Sequence, residues 1–403
     1  MAFLLIFYVT YDKMTVEVKF MDFTNLKNFM DHLTSWRVPG NIVYVFKDNK
    51  KVFEYCSGYD NVDLKTPMTF DKTFYMYSCT KIITTLCALQ LYEKGEFLLT
   101  DPLCDYIPEF KEMFYKNDGE ILPCKKTITI RDLFTMSSGL NYETDTEAFV
   151  EAKRITDGKF DTMETIKCLA KMPLDFEPGE RWQYSLSHDV LAAFVEVVSG
   201  MKFRDYVTEN VLKPAGAYGT FALTEEQKKN LATLYWFISD DGETSDVIAA
   251  QSSNTNMNGG YLRITDEGNC FIFGENYDSG GAGFISTALD FAKITSAIVN
   301  GDLLNKNTVN LWRTNQLTKE QLVNYNWGQL LGYGYGLGVR TLTDKALAGS
   351  PGPLGEFGWC GAAGAISIMD LDNNVSLFYC QHLLNNQEAY IQPRLRNILY
   401  GCL

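Results

Sequence analysis

Ser78-Cys79-Thr80-Lys81-Ile82-Ile83-Thr84-Thr85-Leu86-Cys87-Ala88-Leu89-Gln90-Leu91-Tyr92-Glu93-Lys94-Gly95 is the stretch on which the reading of this chain turns. Ile82, Leu86 and Leu89 recur at i, i+4 and i+7, and Gly95 stands where a helix takes its C-terminal cap, so the pattern predicts a helix from Ser78 to about Lys94. Three residues of separation leave the Ser78 and Lys81 side chains about 60° apart around the axis and about 4.5 Å apart along it, close enough to touch. The free N–H groups of a helix start, and the positive end of its dipole, favour negative charge developing beside Ser78. Lysine ordinarily titrates near ~10.4, so Lys81 must lose about 3 units, roughly 4 kcal/mol, to act as a base at neutrality. On these four residues alone, a serine N-cap followed by a solvated lysine is the simpler account, because Ser-x-x-Lys arises by chance about once or twice in a chain of this size. A second copy, Ser199-Gly200-Met201-Lys202, follows a helical run whose stop is Gly200, which gives its serine and lysine no shared helical frame.

Two further stretches shift the balance. Phe176-Glu177-Pro178-Gly179-Glu180-Arg181-Trp182-Gln183-Tyr184-Ser185-Leu186-Ser187 precedes a helix with Leu191, Phe194, Val195 and Val198 on one stripe and Gly200 at its end, which puts Tyr184 on the approach to that helix. Gly358-Trp359-Cys360-Gly361-Ala362-Ala363-Gly364 leads into a strand from Ala365 to Met369. Its glycine-rich backbone lets a ligand come close and offers exposed N–H groups.

The rest of the chain supplies a frame for these three. Helical spacing over Phe23 to Leu33 is followed by two strand-like runs, Ile42 to Phe46 and Val52 to Cys56, around the polar turn Lys47-Asp48-Asn49-Lys50. Residues 95 to 284 mix helical stretches with many Gly, Asn and Asp punctuation points. A helix is signalled from Ser286 through Ile298, then strand-like runs at Tyr335 to Thr341, Ala365 to Met369 and Val375 to Tyr379, and a last helix near Gln392 to Leu399. This order predicts an α/β sandwich: an antiparallel sheet built from both chain ends, flanked by helices, with a helical domain inserted after the nucleophile helix. The expected division is an N-terminal extension at 1–20, a sandwich domain from 21–80 and 285–403, and a helical domain with insertions at 81–284.

With 403 residues and 46% hydrophobic content the chain has material for a substantial core, and its formal charge of −14 argues against a phosphate-backbone partner. No window of about 18 apolar residues is present, so no membrane-spanning helix is expected. The opening run Met1 to Val9 is apolar but lacks preceding basic residues and a following small-residue cleavage site. It reads as an N-terminal strand, or as an upstream start before Met14, in preference to a secretory signal. Ten cysteines, at 56, 79, 87, 104, 124, 168, 270, 360, 380 and 402, include no C-x-x-C, which signals neither a zinc cluster nor a redox pair and suits a reducing cytoplasm.

Taken together, the ordered blocks resemble the serine β-lactamase, penicillin-binding-protein and family VIII carboxylesterase superfamily, from about Val38 to Leu384. The blocks are Phe74 through Lys81, Ile130-Arg131-Asp132-Leu133 leading to Ser137-Ser138-Gly139-Leu140, and Pro178-Gly179 to Gly200. They continue with Gly280-Gly281-Ala282-Gly283 through Ser286-Thr287-Ala288, Tyr335-Gly336-Leu337-Gly338, and Gly358 to Gly364. The resemblance implies a β-lactamase/transpeptidase-like fold, Ser78 as acylated nucleophile, Lys81 and Tyr184 as proton-handling partners, and the backbone N–H groups of Ser78 and Ala362 as oxyanion hole. It places Cys79, Leu186, Trp359, Cys360 and Gly361 around the substrate and calls for no cofactor or metal. Members that recognise penicillin usually carry Tyr-x-Asn and a Lys- or His-containing third motif, where this chain has Leu186 and Trp359. The Trp-x-Gly third motif resembles the family VIII esterases and their acyltransferase relatives.

Rival readings of single features are weaker. Adjacent His188 and Asp189 suggest a Ser-His-Asp triad, but neighbours in a helix's first turn point in different directions. Gly332, Gly334, Gly336 and Gly338 miss G-x-G-x-x-G and fit close strand packing. No G-x-S-x-G and no H-E-x-x-H occurs. The expected function is ester hydrolysis through an acyl-enzyme on a small-molecule substrate. A D-amino-acid peptidase, weak β-lactamase or acyltransferase could use the same residues, and a catalytically silent ligand-binding protein of the same fold is the reading from another class.

Overall fold

The computed structural model describes residues 21–237, 255–258, 261–264 and 271–403. The expectations for Met1 to Val9, for Met14, for Cys270 and for an extension at 1–20 lie outside these residues.

Both chain ends build one sheet of eight antiparallel strands. Its order is Tyr333–Tyr335, Arg340–Leu342, Phe357–Gly358, Ile366–Asp370, Val375–Gln381, Gly40–Lys47, Lys50–Asn61 and Thr66–Pro67. The first hairpin turns through Asp48 and Asn49, both at positive φ (50° and 57°), the pair of left-handed residues that a two-residue turn needs to match strand twist. Along Gly40–Lys47 the side chains alternate between two cores, as a period of two requires: Val43 and Val45 face one, Ile42, Tyr44 and Phe46 the other.

The first face is covered by the terminal helices Thr24–Trp36 and Glu388–Cys402, through Leu26, Met30, Leu33, Ile391, Leu395 and Leu399. The second is covered by Ala288–Asn300, whose Phe291 stacks on Phe378 with ring centroids 4.5 Å apart. Thr287 caps this helix by accepting from the Asp290 N–H, and Gly301 ends it at φ 87°. The core on this side is continuous: Ile82 and Leu86 of Thr80–Glu93, Leu191 and Phe194 of Ser187–Ser199, and Phe291 belong to one buried cluster, so the helical part and the sheet share an interior. A small three-stranded sheet, Thr73–Tyr75, Ile285–Thr287 and Gly219–Thr220, lies at their junction and leads directly into Ser78.

One strand expectation is corrected. Tyr335 to Thr341 is not a single strand but the end of one, a turn and the start of the next. Gly336 N–H donates to Val339 O, and Gly338 adopts φ 96°, which breaks extended backbone. The glycines themselves are explained by close packing: a β-carbon at Gly334 would press on Asn315 and one at Gly336 on the Trp312 carbonyl. Among the described residues, no helix is long and apolar enough to cross a membrane.

Candidate active site

The nucleophile turn departs from a plain helix start. Tyr77–Cys79 forms a 3-10 turn ahead of Thr80–Glu93, and Tyr77 sits at φ 44°, a left-handed conformation that a bulky residue holds only when its surroundings impose it. Ser78 does not cap the helix. The N-cap is Cys79, with no side-chain cap hydrogen bond, and Lys81 is fully buried, so a serine cap beside a solvated lysine does not describe this segment.

Instead the Ser78 hydroxyl meets two side chains. Tyr184 Oη donates to Ser78 Oγ at 2.6 Å, and Lys81 Nζ lies 3.3 Å from the same oxygen. Lys81 Nζ also donates to Gly281 O at 2.7 Å and to Tyr142 Oη at 3.2 Å. Burial pushes the Lys81 amine down from 10.5 to about 7, against the opposing pull of nearby Asp189. A neutral amine has two N–H donors and one lone pair. The Gly281 carbonyl can only accept, Tyr142 Oη can take the second N–H, and the lone pair is left for the Ser78 proton. Burial drives the Tyr184 hydroxyl far above its ordinary value, so it stays protonated and remains a donor.

Behind Lys81 stands Asp189, 1% exposed, accepting from Ser279 Oγ at 2.7 Å and Tyr277 Oη at 3.0 Å. Burial raises its carboxyl despite these bonds and the nearby amine. Gly281 must be glycine here, since a β-carbon would collide with Asp189 Oδ2 and come within 3.4 Å of Lys81 Nζ. His188 takes no part: its Nε2 faces the Phe134 carbonyl at 3.3 Å, and burial holds the ring neutral with its pKa down at about 3.

The third motif wraps around the nucleophile turn. Gly361 packs on the Met76 carbonyl so closely that no side chain fits, and its N–H donates to Ala365 O at 2.7 Å. The Gly361 carbonyl accepts from Gly364 N–H at 2.8 Å and from Asn386 Nδ2 at 3.3 Å. In a trans peptide the Ala362 N–H points opposite to that carbonyl, away from Asn386. Trp359 Nε1 donates to Tyr184 Oη at 3.4 Å, and the Trp359 ring packs against Tyr335 (5.3 Å) and Tyr184 (5.9 Å).

Sequence proximity misplaces some of the pocket. Cys79 and Leu186 are both 0% exposed. The Cys79 thiol turns to Ala365 O (3.6 Å) and Trp359 O (3.9 Å), while Leu186, the N-cap of Ser187–Ser199, lies in the core. Trp359 is 2% exposed and so supports Tyr184 from behind, without presenting an open face to a substrate. Cys360 is partly exposed and donates to Glu388 Oε2 at 3.2 Å. Partly exposed aromatic rings lie instead beside Tyr184, at Tyr142 and Trp327, with Phe271 against Tyr142, while Tyr75, Phe271 and Leu384 pack around Tyr77 and Ala363 next to the nucleophile turn. Tyr142 and Asp189 are the residues sequence reading missed in this role. Tyr142 lies two positions beyond the Ser137 to Leu140 block, and in the sequence Asp189 stands out only as a neighbour of His188. Among the described residues, no group of three His, Cys, Asp or Glu side chains is placed to hold a metal.

An eight-stranded antiparallel sheet with flanking helices, carrying a Ser-x-x-Lys pair and a tyrosine on one hydroxyl, defines a β-lactamase/transpeptidase-like serine hydrolase fold. The chain belongs to the beta-lactamase family: the family model described as Beta-lactamase matches residues 24–399. It is 28% identical over 362 residues to Protein Rv1367c of Mycobacterium tuberculosis, covering 85% of both chains. It is likewise 28% identical over 352 residues to Esterase EstB of Burkholderia gladioli, again covering 85% of both. In fold it is similar to EstCE1, described as a hydrolase with promiscuous acyltransferase activity (TM-score 0.73, 24% identity, 93% of this chain and 97% of that one). Unliganded simvastatin synthase LovD from Aspergillus terreus is similar too (TM-score 0.72, 21% identity, 94% and 98%).

Proposed function

We propose that this chain is a carboxylesterase acting on small, uncharged esters through an acyl-enzyme on Ser78. The observation that carries the reading is the double contact on Ser78 Oγ, 2.6 Å from Tyr184 Oη and 3.3 Å from a buried Lys81 amine with a pKa of about 7. Lys81 takes the Ser78 proton as Oγ bonds to the ester carbonyl carbon. The negative charge on the former carbonyl oxygen is met by the N–H groups of Ser78 and Ala362. As the C–O bond to the alcohol breaks, Tyr184 delivers a proton to the leaving oxygen, and the proton taken by Lys81 restores Tyr184. Water then repeats the cycle on the acyl-enzyme, releasing the acid and regenerating Ser78. A silent binding protein would gain nothing from burying an amine against a serine at a cost on the order of 5 kcal/mol. The test is intact-protein mass spectrometry after incubation with an activated phosphonate ester, whose serine adduct does not turn over: an adduct on Ser78 with loss of esterase activity is expected, and inactivation with the adduct on another residue would refute the assignment.

The ester preference is supported by what the two motifs lack: Leu186, in the core, and Trp359, buried behind Tyr184, offer a substrate neither an amide nor a cation where penicillin-recognising members carry polar or cationic groups. Nitrocefin or penicillin turnover is therefore expected to have a kcat/KM at least about 10²-fold below that of a short-chain nitrophenyl ester. Comparable rates would overturn the preference.

We also propose that the enzyme works with its thiols reduced, as in a cytoplasm, with no nucleic-acid or membrane partner required. The nine described cysteines are all unpaired. Cys360 in the third motif is partly exposed, but its thiol donates to Glu388 and burial pushes its pKa up, which slows oxidation; a sulfenic acid there would disturb that bond and the neighbouring third-motif backbone. Activity is expected to persist in dithiothreitol and to fall on peroxide treatment, followed alongside a free-thiol count. Inactivation by dithiothreitol would point to an oxidising compartment.

A further inference from the structure

The position of Tyr184 locates the alcohol half of a substrate, given the esterase reading above. A leaving oxygen must come within about 3 Å of Tyr184 Oη to take its proton, so its substituent rests on whichever neighbours of Tyr184 keep open surface. Four aromatic rings surround Tyr184: Tyr142 stacked at 5.2 Å, Trp327 edge-on at 5.3 Å, Trp359 at 5.9 Å and Trp182 at 6.2 Å. Trp182 and Trp359 are 4% and 2% exposed and cannot meet a ligand. Tyr142 and Trp327 are partly exposed. Tyr142 is on the side of the base, its hydroxyl bonded to Lys81 Nζ at 3.2 Å. Trp327 borders the other two rings, 6.2 Å from Trp359 and 5.5 Å from Trp182.

We propose that Trp327 is a specificity-determining residue for the alcohol half of the ester, its indole forming the wall on which a flat aromatic alcohol packs as it leaves. The wall is held in place. Gln329, two residues further on, donates through Nε2 to the Glu388 carboxylate. The same carboxylate accepts from Cys360 Sγ and from Gln392 Nε2, each at 3.2 Å. Glu388 therefore ties the turn bearing Trp327 and the motif bearing Trp359 to one helix, so an incoming ring meets an ordered surface and loses little to rearrangement.

The test compares kcat/KM for 2-naphthyl acetate and ethyl acetate in the wild-type chain, in Trp327→Ala and in Trp327→Phe. Taking ratios relative to wild type removes the intrinsic reactivity of the aryl ester. The aryl-over-alkyl ratio is expected to fall about tenfold in Trp327→Ala and by less in Trp327→Phe, which keeps a smaller ring. Glu388→Ala, which frees the turn, is expected to lower the same ratio. The ethyl butyrate over ethyl acetate ratio, in which only the acyl half changes, is expected to hold in all three variants. An unchanged aryl-over-alkyl ratio in both Trp327 variants overturns the proposal, as does an equal shift in the acyl-chain ratio. A Ser78→Ala control separates the two levels. Turnover that is lost in Ser78→Ala, with unchanged ratios, overturns the Trp327 assignment alone, whereas no turnover of either ester by the wild-type chain, or turnover kept in Ser78→Ala, overturns the esterase reading and this inference with it.

Discussion

Ser78→Ala is expected to lower kcat for a short-chain nitrophenyl ester by at least about 10⁴-fold, to the level left by binding and oxyanion donors, while the protein remains folded. The size follows from chemistry, because Ser78 Oγ is the one aliphatic hydroxyl in contact with Lys81 Nζ, whose other two contacts are the Tyr142 phenol and the Gly281 carbonyl. Tyr184 Oη is held far above its ordinary pKa by burial, and Cys79, the adjacent nucleophile in sequence, has its thiol in the core against two carbonyls. The fold should survive because Ser78 Oγ caps no helix. Its bonds are to Tyr184 and Lys81: losing them leaves Lys81 Nζ with Gly281 O and Tyr142 Oη, whereas the Tyr184 hydroxyl still accepts from Trp359 Nε1 but loses the acceptor for its own proton. Stability is therefore expected to fall by about 1–3 kcal/mol. Thermal melts alongside kinetics check both halves. A variant that keeps wild-type activity would end the nucleophile assignment, and one that unfolds would mean that Ser78 holds the turn together.

How far this site could be read from sequence depended on how local each contact is. Ser78 and Lys81 lie three residues apart across a 3-10 turn that runs straight into an α-helix, and Tyr184 precedes a helix with a clear stripe and a glycine stop, so their motifs carry position as well as identity. The hairpin at Lys47–Lys50 was legible for the same reason, its turn chemistry lying within four residues. Cys79 and Leu186 show the limit of such reasoning. Consecutive residues in a helical turn point about 100° apart, so a neighbour of the nucleophile in sequence faces the core when the nucleophile faces the cleft. Tyr142, Asp189, Tyr277 and Ser279 were beyond reach because what gives them roles is contact between separate loops and helices, which no local period encodes. The buried Arg340–Glu356 pair (2.8 Å), with Arg396 3.5 Å from the same carboxylate, is likewise a product of the assembled sheet and last helix. Composition would place such side chains at the surface.

Lys81→Arg is expected to remain as inactive as Lys81→Ala, and the wild-type rate is expected to rise with pH through an apparent pKa of about 7. A guanidinium keeps its proton at any working pH and so offers no lone pair to the Ser78 hydroxyl. It is also bulkier than the amine at a fully buried position where Lys81 Nζ already lies 2.7 Å from Gly281 O and 3.2 Å from Tyr142 Oη. For the wild-type chain the sign of the pH effect follows from the direction of the shift. Only neutral Lys81 accepts a proton, so log kcat/KM should climb by about one unit per pH unit below about 7 and level off above it. No fall on the alkaline side is expected from Tyr184, whose hydroxyl is driven far upward by burial. The same shift predicts a stability effect. Between the folded value of about 7 and the ordinary 10.5, the unfolded chain binds the proton that the folded chain has given up. Stability should therefore rise with pH across that window, by on the order of 5 kcal/mol in all, and this contribution should be flat below it. Lys81→Met, which keeps the length and removes the amine, should abolish activity and also remove this slope from urea melts compared at pH 7 and pH 9. If the Met variant loses activity but keeps the slope, another group carries the pH dependence. If Lys81→Arg hydrolyses esters at a wild-type rate, the base is a different residue and the proton path through Tyr184 must be redrawn.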